Sequence, residues 1–407
     1  MLPDDALLAA LTAWLTEKSL AGLGEAEIVE GFCERLLEAG VPLSRAIVLV
    51  DTLHPIYEGR AFRWNRGIAQ AEVLEYGRTR EGANAEGWRR SPLYYMVETN
   101  RSFMRRRLTE PSTSDETPDF AAFTELRDQG MTDFVALVTR FPAAGSVGDM
   151  DAIYSYWTSD GAAGFDENDV VMLQRLADPL AAALKSVSLA RIAVTLAETY
   201  LGRDAGRLVL SGQIERGVAE QISAVLWYSD LRGYTRITDT AAPDQIIPLL
   251  NDYAEVVISA VHAGGGDVLK LIGDGILAIF RADDMGAAAH VALDATLAVR
   301  RSVADLNSRR ARTGRPVTEV YLGLHVGEVF YGNIGSLERL DFTVVGPAVN
   351  EVSRIAAMCR SVERDVLLSE ALVAAAHPAD RERLVSVGRY ALRGIAKAQE
   401  LYTLDEP

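Results

Sequence analysis

Asp230 and Asp274 have the setting in this sequence that points most directly to chemistry. The run Ala224-Val-Leu-Trp-Tyr-Ser-Asp230-Leu-Arg-Gly-Tyr-Thr235 is an apolar β-like stretch that ends on Asp230 and opens through Gly233 into a capped segment. The run Asp267-Val-Leu-Lys270-Leu-Ile-Gly-Asp274-Gly-Ile-Leu-Ala-Ile-Phe280 holds two β-rich segments around Gly-Asp-Gly, the composition of a tight hairpin. Between them, Pro243 to Ala263 spaces Ile247, Leu250, Tyr253, Val257, Ala260 and Val261 as a crossover helix would. A strand, such a crossover and a returning hairpin can bring the two carboxylates to one sheet edge. Paired hard oxygen ligands there suit Mg²⁺ or Mn²⁺, which bridge protein carboxylates and nucleotide phosphates. Asp274 also has a plainer reading, because Asp-Gly is a favoured hairpin turn.

The company the aspartates keep favours the chemical reading. The segments Tyr228-Ser-Asp230-Leu-Arg-Gly233-Tyr-Thr235, Lys270-Leu-Ile-Gly273-Asp274 and Phe342-Thr343-Val-Val-Gly346-Pro-Ala-Val349-Asn350-Glu-Val-Ser-Arg354 resemble, in order and spacing, the catalytic domain of class III nucleotidyl cyclases. The likeness covers roughly residues 220 to 403.

The resemblance implies a role for each matching residue. Asp230 and Asp274, with the backbone of Leu231, would hold two Mg²⁺ or Mn²⁺ ions against the ribose 3′-hydroxyl and the phosphates. Asn350 and Arg354 lie four apart on a helix-period segment and so share a face. The amide would orient the ribose, and the guanidinium would neutralise charge developing on the α-phosphate. Lys270 and Thr343 fall on the positions that read the purine, where a lysine donor and a hydroxyl acceptor imply adenine. Threonine in place of aspartate resembles the subgroup that includes bicarbonate-responsive cyclases, which makes bicarbonate a candidate regulator. Near the end, Leu392-Arg393-Gly394-Ile-Ala-Lys397 resembles the family's closing segment, where a lysine meets the triphosphate. Ile395 occupies the position expected for that lysine, leaving Lys397 and Arg393 as candidates. In such cyclases two catalytic domains share the site, so one chain bearing both residue sets implies a homodimer.

Composition sets the frame for these residues. The chain has 407 residues, 41 Lys plus Arg against 57 Asp plus Glu, and a formal net charge of -16. That balance argues against general binding to nucleic acid or an anionic membrane surface. Cys33 and Cys359 are the two cysteines, too few for a disulfide framework or a zinc quartet, as expected of a reducing cytoplasm. The amino terminus lacks a basic leader, and no uninterrupted apolar run approaches membrane-spanning length, so a soluble protein without an integral membrane segment is expected.

The first half of the chain reads as helices over Ala6 to Leu23 and Ala26 to Ala39, then strands at Arg45 to Asp51, Gly59 to Trp64, Asp133 to Val138 and Ala152 to Trp157. Thr109 to Asp119 reads as a loop. With the ending Gly164-Phe-Asp166-Glu-Asn-Asp, this order resembles a GAF-type regulatory domain. His54 is its candidate ligand residue, for instance toward haem, although a histidine before proline is more often a turn residue. Trp64, Tyr94, Tyr95, Tyr154 and Trp157 could line a pocket or fill the core. A long helix is expected from Asp166, carrying Leu189, Ile192, Leu196 and Tyr200 as a narrow seam that could pair with a second chain or pack on its own domain.

The expected organisation is therefore an α+β chain: a GAF-like sensor domain over 1–185, a helical linker over 186–218, and a ferredoxin-like (βαββαβ) cyclase catalytic domain over 219–407. The expected activity is that of an adenylate cyclase, with a guanylate cyclase or a catalytically silent nucleotide-binding module as alternatives.

Overall fold

The computed structural model describes residues 5–404 except 81, 110–117, 143, 145, 149 and 396. The chain divides into two compact units, Met1–Leu196 and Ala197–Pro407.

The first unit is built on a six-stranded antiparallel sheet. Its strands are β1 (Arg45–Asp51), β2 (Gly59–Asn65), β3 (Glu72–Tyr76), β4 (Phe103–Arg107), β5 (Asp133–Arg140) and β6 (Ala152–Ser159), in the order β3-β2-β1-β6-β5-β4. The helices are α1 (Asp5–Leu20), α2 (Glu25–Glu38), α3 (Gly82–Arg89), α4 (Pro92–Glu98), α5 (Ala121–Asp128) and α6 (Glu167–Leu201). Leu15, Phe32 and Leu184 from α1, α2 and α6 bury one sheet face together with Phe62, Trp64 and Trp157. Met96 and Phe123 from α4 and α5 cover the other, over Phe134 and Tyr154.

Several expectations change here. Strands β3 and β4 and helices α3 to α5 were not foreseen. The loop expected over Thr109 to Asp119 falls mostly on residues outside the described ones. The seam on α6 does not wait for a second chain: Ile192 belongs to the first unit's core, with Leu189 and Leu196 packed against it. Only Tyr200 stands clear, at 80% exposure. Two helices, α6 and Pro243–Ala263, are long and apolar enough to cross a membrane by length and composition, and each buries a face in its own unit's core.

The second unit opens with α7 (Arg203–Leu210), inside the stretch read as a linker, and continues with β7 (Ala219–Leu231), α8 (Tyr234–Thr240) and α9 (Pro243–Ala263). Then come β8 (Asp267–Ile272), β9 (Gly275–Phe280), α10 (Met285–Arg312), β10 (Val320–Gly335), β11 (Leu340–Val345) and α11 (Pro347–Val362). The remaining elements are β12 (Val366–Ser369), α12 (Glu370–Ala375), α13 (Pro378–Arg381), β13 (Leu384–Tyr390) and β14 (Gln399–Leu404). The sheet runs β13-β14-β12-β10-β7-β9-β8, and β11 folds back on β10. Within it, β7-α9-β8-β9-α10-β10 follows the βαββαβ plan, with β7 and β9 as its inner strands.

Both faces of that sheet are covered. Helices α9 and α10 pack Leu249, Tyr253, Ala292 and Val299 over Val225 and Trp227, whose indole donates to Thr296 at 3.0 Å. Helices α7 and α11 pack Ala205, Ala348 and Val352 over Ala224, Leu226 and Leu277 on the other side. Asp204 secures α7: it is 8% exposed, accepts from the Tyr331 hydroxyl at 3.0 Å and from Arg207 at 2.8 Å, and pairs with Arg281.

Candidate active site

Strand β7 carries Asp230 to the sheet edge as its penultimate residue, opposite Tyr321 of β10. Register closes β8 and β9 at Ile272 and Gly275, leaving Gly273 and Asp274 as the two-residue turn, with Gly273 at φ 66°. Because β9 lies beside β7, the turn delivers Asp274 next to Asp230, and the Leu231 amide donates to the Asp274 carboxylate at 3.3 Å. Each carboxyl group lies within the field of the other's charge.

That proximity has an electrostatic cost. Partial burial, then the charge of Asp274 and the hydrogen bond to it, raise Asp230 from an ordinary 3.8 to about 6, partly offset by the Leu231 backbone. The Tyr228 phenol is likewise raised, by burial and then by Asp230 and Asp274. A Cβ at residue 275 would overlap the Tyr228 hydroxyl, so only glycine lets that ring lie over the start of β9.

Two close acidic side chains with uncompensated repulsion form a donor set suited to a hard divalent cation, which supplies the missing positive charge. Among the described residues no group of three or more His, Cys, Asp or Glu side chains could hold a metal ion, so the remaining ligands must come from backbone, water or a bound phosphate.

Asn350 and Arg354 lie four residues apart on α11. Neither side chain has a hydrogen-bond or ion-pair partner among the described residues. The Arg354 guanidinium lies against Gly394, where an added Cβ would sit 3.3 Å from Nη1. Leu392 anchors that closing segment beneath α11 with Ile355 and Cys359. Arg393 and Lys397 are exposed at its surface.

Lys270 lies on β8 and Thr343 on β11, strands that are not paired with each other in the sheet. A bulge between Val268 and Lys270 shifts the β8 register, and the Lys270 ammonium binds the Asp341 carboxylate at 2.6 Å. Asp341 and Thr343 alternate onto the same face of β11, while Phe342 turns into the core against Tyr331. Thr343 is 4% exposed, and its hydroxyl is buried without a partner among the described residues. Such an orphan disfavours the unliganded state by about 1–3 kcal/mol, a preference for a ligand that can use the hydroxyl.

Sequence reasoning missed Asp341. Its only early signal was its place two residues before Thr343 on an alternating strand. His325 is buried and hydrogen-bonded to Ser369 at 2.9 Å, a structural role. In the first unit, His54 accepts from the Ile56 amide at 3.1 Å and stacks on Tyr57, the arrangement of a turn residue. Trp64, Trp157 and Tyr154 are buried.

Comparison with known proteins agrees with this geometry. Residues 218–406 match the family model of the adenylate and guanylate cyclase catalytic domain, and the second unit therefore carries a class III cyclase catalytic domain. The chain is 33% identical over 160 residues to an adenylate cyclase of Anabaena cylindrica, an alignment covering 39% of this chain and 32% of that protein. It is 27% identical over 194 residues to adenylate cyclase 1 of Rhizobium meliloti, covering 47% of this chain and 29% of that protein. The crystal structure of the adenylyl cyclase CyaB from P. aeruginosa aligns at 22% identity and a TM-score of 0.43, covering 47% of this chain and 97% of that one. This chain thus spans 32% and 29% of the length of those two curated relatives.

Proposed function

We propose that this chain is a homodimeric adenylate cyclase that converts ATP to 3′,5′-cyclic AMP and pyrophosphate. The observation that carries the reading is the convergence of Asp230 and Asp274, 44 positions apart in sequence, into one electrostatically coupled carboxylate pair where β7 ends beside the β8–β9 turn. Asp230, Asp274 and the Leu231 backbone would hold two Mg²⁺ or Mn²⁺ ions. Those ions, when bound, would acidify the ribose 3′-hydroxyl and clamp the phosphates.

The protein's own groups account for the rest. Arg354, without a hydrogen-bond or ion-pair partner among the described residues, is available to neutralise charge at the α-phosphate, and Asn350, on the same helix face, to orient the ribose. Lys270 and the orphan Thr343 hydroxyl would read adenine, and Arg393 or Lys397 would meet the triphosphate. Among the described residues no hydrogen bond or ion pair joins Asp230 or Asp274 to Asn350 or Arg354, which supports a site completed by a second copy. Large apolar side chains are exposed on the hairpins beside the site, namely Leu271, Ile272, Phe330 and Val345, a surface suited to that association. The first unit would act as a GAF-like sensor, with bicarbonate or another small molecule as regulator, in a cytoplasmic protein.

Complementation tests this reading. Asp274→Ala and Arg354→Ala chains should each be inactive with Mn²⁺ and ATP. Random mixing makes about half the dimers mixed, each with one intact site of two, so about a quarter of wild-type activity should return. No return of cyclic AMP synthesis, with subunit exchange demonstrated, rejects the shared site. Absence of cyclic AMP from the wild type rejects the enzyme in favour of a silent nucleotide-binding module. Preferential turnover of GTP rejects the base assignment.

A further inference from the structure

The chain just beyond Asp230 is fixed by groups that the proposed chemistry does not use. Arg232 continues the pairing of β7 with β10 one residue past the strand: its amide donates to the Glu319 carbonyl at 2.8 Å, and its carbonyl accepts from the Thr318 hydroxyl at 2.6 Å. In a trans peptide the N–H and the preceding C=O point opposite ways, so with the Arg232 amide turned to β10 the Leu231 carbonyl turns to the β9 side. That is the side of Asp274, which the Leu231 amide reaches at 3.3 Å. The peptide plane that Thr318 and Glu319 hold therefore sets where the Leu231 oxygen points.

Thr318 is itself held on every polar atom. It is buried at the end of the 313–319 loop between α10 and β10. Its amide donates to the Tyr253 hydroxyl at 2.7 Å, its carbonyl accepts from the Asn307 side-chain amide at 2.8 Å, and the Tyr253 hydroxyl donates to the Asn307 carboxamide oxygen. This closed ring joins α9, α10 and the loop, and Tyr253 is fully buried. Arg310, also buried, anchors the same loop by donating to the Pro316 carbonyl at 2.7 Å while it pairs with Asp252 of α9. The side chains of Arg232 and Glu319 form an ion pair too, but they are 55% and 51% exposed, and solvent screening leaves that pair little to hold the strand with. The orientation of Leu231 thus rests on the buried hydroxyl.

We propose that Thr318 is a positioning residue of the metal site: its hydroxyl, held in place by Tyr253 and Asn307, fixes the Leu231–Arg232 peptide so that the Leu231 carbonyl faces the Asp230–Asp274 pair. A carbonyl fixed in advance loses no freedom when a cation is bound, whereas a loose strand end would have to be ordered at that moment. The assignment rests on the reading of the carboxylate pair as a metal site.

Titration of the full chain with Mn²⁺ in the absence of nucleotide tests it, followed by the electron paramagnetic resonance of the free ion, with Asp274→Asn as the blank for adventitious sites. Thr318→Val loses the hydroxyl at nearly constant shape and should weaken Mn²⁺ binding about tenfold, the usual cost of removing a group that orients a metal ligand. Thr318→Ser should return the affinity to within about twofold of wild type. Tyr253→Phe frees the Thr318 amide but leaves its hydroxyl, and should weaken the ion by about threefold. Thr296→Val is the control: it removes another buried hydroxyl, the one that accepts from Trp227, and should lower the Tm as Thr318→Val does while Mn²⁺ affinity stays unchanged. Undiminished affinity in Thr318→Val or in Tyr253→Phe, or equal weakening by Thr296→Val, overturns the assignment and leaves the metal site standing. Wild-type binding no tighter than that of Asp274→Asn overturns the metal reading and the assignment with it.

Discussion

Asp274→Asn should make the metal-free protein more stable and the metal-bound protein impossible. Asparagine keeps the oxygen that accepts from the Leu231 amide but removes the charge facing Asp230. Raising an aspartate from 3.8 to about 6 corresponds to about 3 kcal/mol against ionisation, at ~1.36 kcal/mol per pH unit. Burial is the largest cause and survives the substitution, and Asp230 is only partly buried, so solvent screens what remains. We therefore expect a gain of ~0.5–1 kcal/mol at neutral pH. A folded-state pKa above the unfolded one means that the native protein holds the extra proton as pH rises, so wild-type stability falls between pH 3.8 and about 6. The advantage of the variant should accordingly be small at pH 5 and fully developed at pH 7.5. Denaturant melts at both pH values in chelator measure it. Mn²⁺ should then raise the midpoint of the wild type and leave that of the variant unchanged. A variant less stable than wild type at pH 7.5, or one still stabilised by Mn²⁺, would refute the carboxylate-pair reasoning.

Other substitutions probe neighbouring groups. Asp341→Asn releases the Lys270 ammonium from its partner and should lower the ATP-to-GTP ratio of kcat/KM by roughly tenfold with little change in Tm, as an exposed ion pair contributes only ~0–1 kcal/mol. Nucleotide turnover with both substrates checks this, and an unchanged ratio removes Asp341 from base recognition. Asp204→Ala strips a buried carboxylate from Arg281, Arg207 and Tyr331 and should cost ~2–4 kcal/mol in urea melts. A loss below about 0.5 kcal/mol would show that α7 is held by its apolar face alone.

Residues with strong local signals were readable in advance. The crossover helix Pro243–Ala263 has the residue limits its apolar spacing suggested, and the hairpin expected around Gly-Asp-Gly forms, although its turn residues are Gly273-Asp274 and not the favoured Asp-Gly pair. What escaped was written in polar residues. Strand β4 is Phe-Met-Arg-Arg-Arg, whose arginines conceal a strand because Arg105 and Arg107 turn back to Asp133 and the Phe165 carbonyl. Strand β3, Glu-Val-Leu-Glu-Tyr, is an edge strand with little burial to pattern it. The α6 seam was ambiguous because period alone does not say whether a chain's own core or a partner covers an apolar stripe. The Lys270–Asp341 pair was hidden for a further reason: it depends on a bulge and on the non-local approach of β11 to β8.

Arg281 directly follows β9, and Asp274 directly precedes it. By gripping Arg281, Asp204 rivets the segment that leads into the catalytic domain to the far end of the strand that sets the Gly273-Asp274 turn, roughly 20 Å away. The entry into this domain is therefore no slack tether: it and the acidic pair are two ends of a single stiff strut.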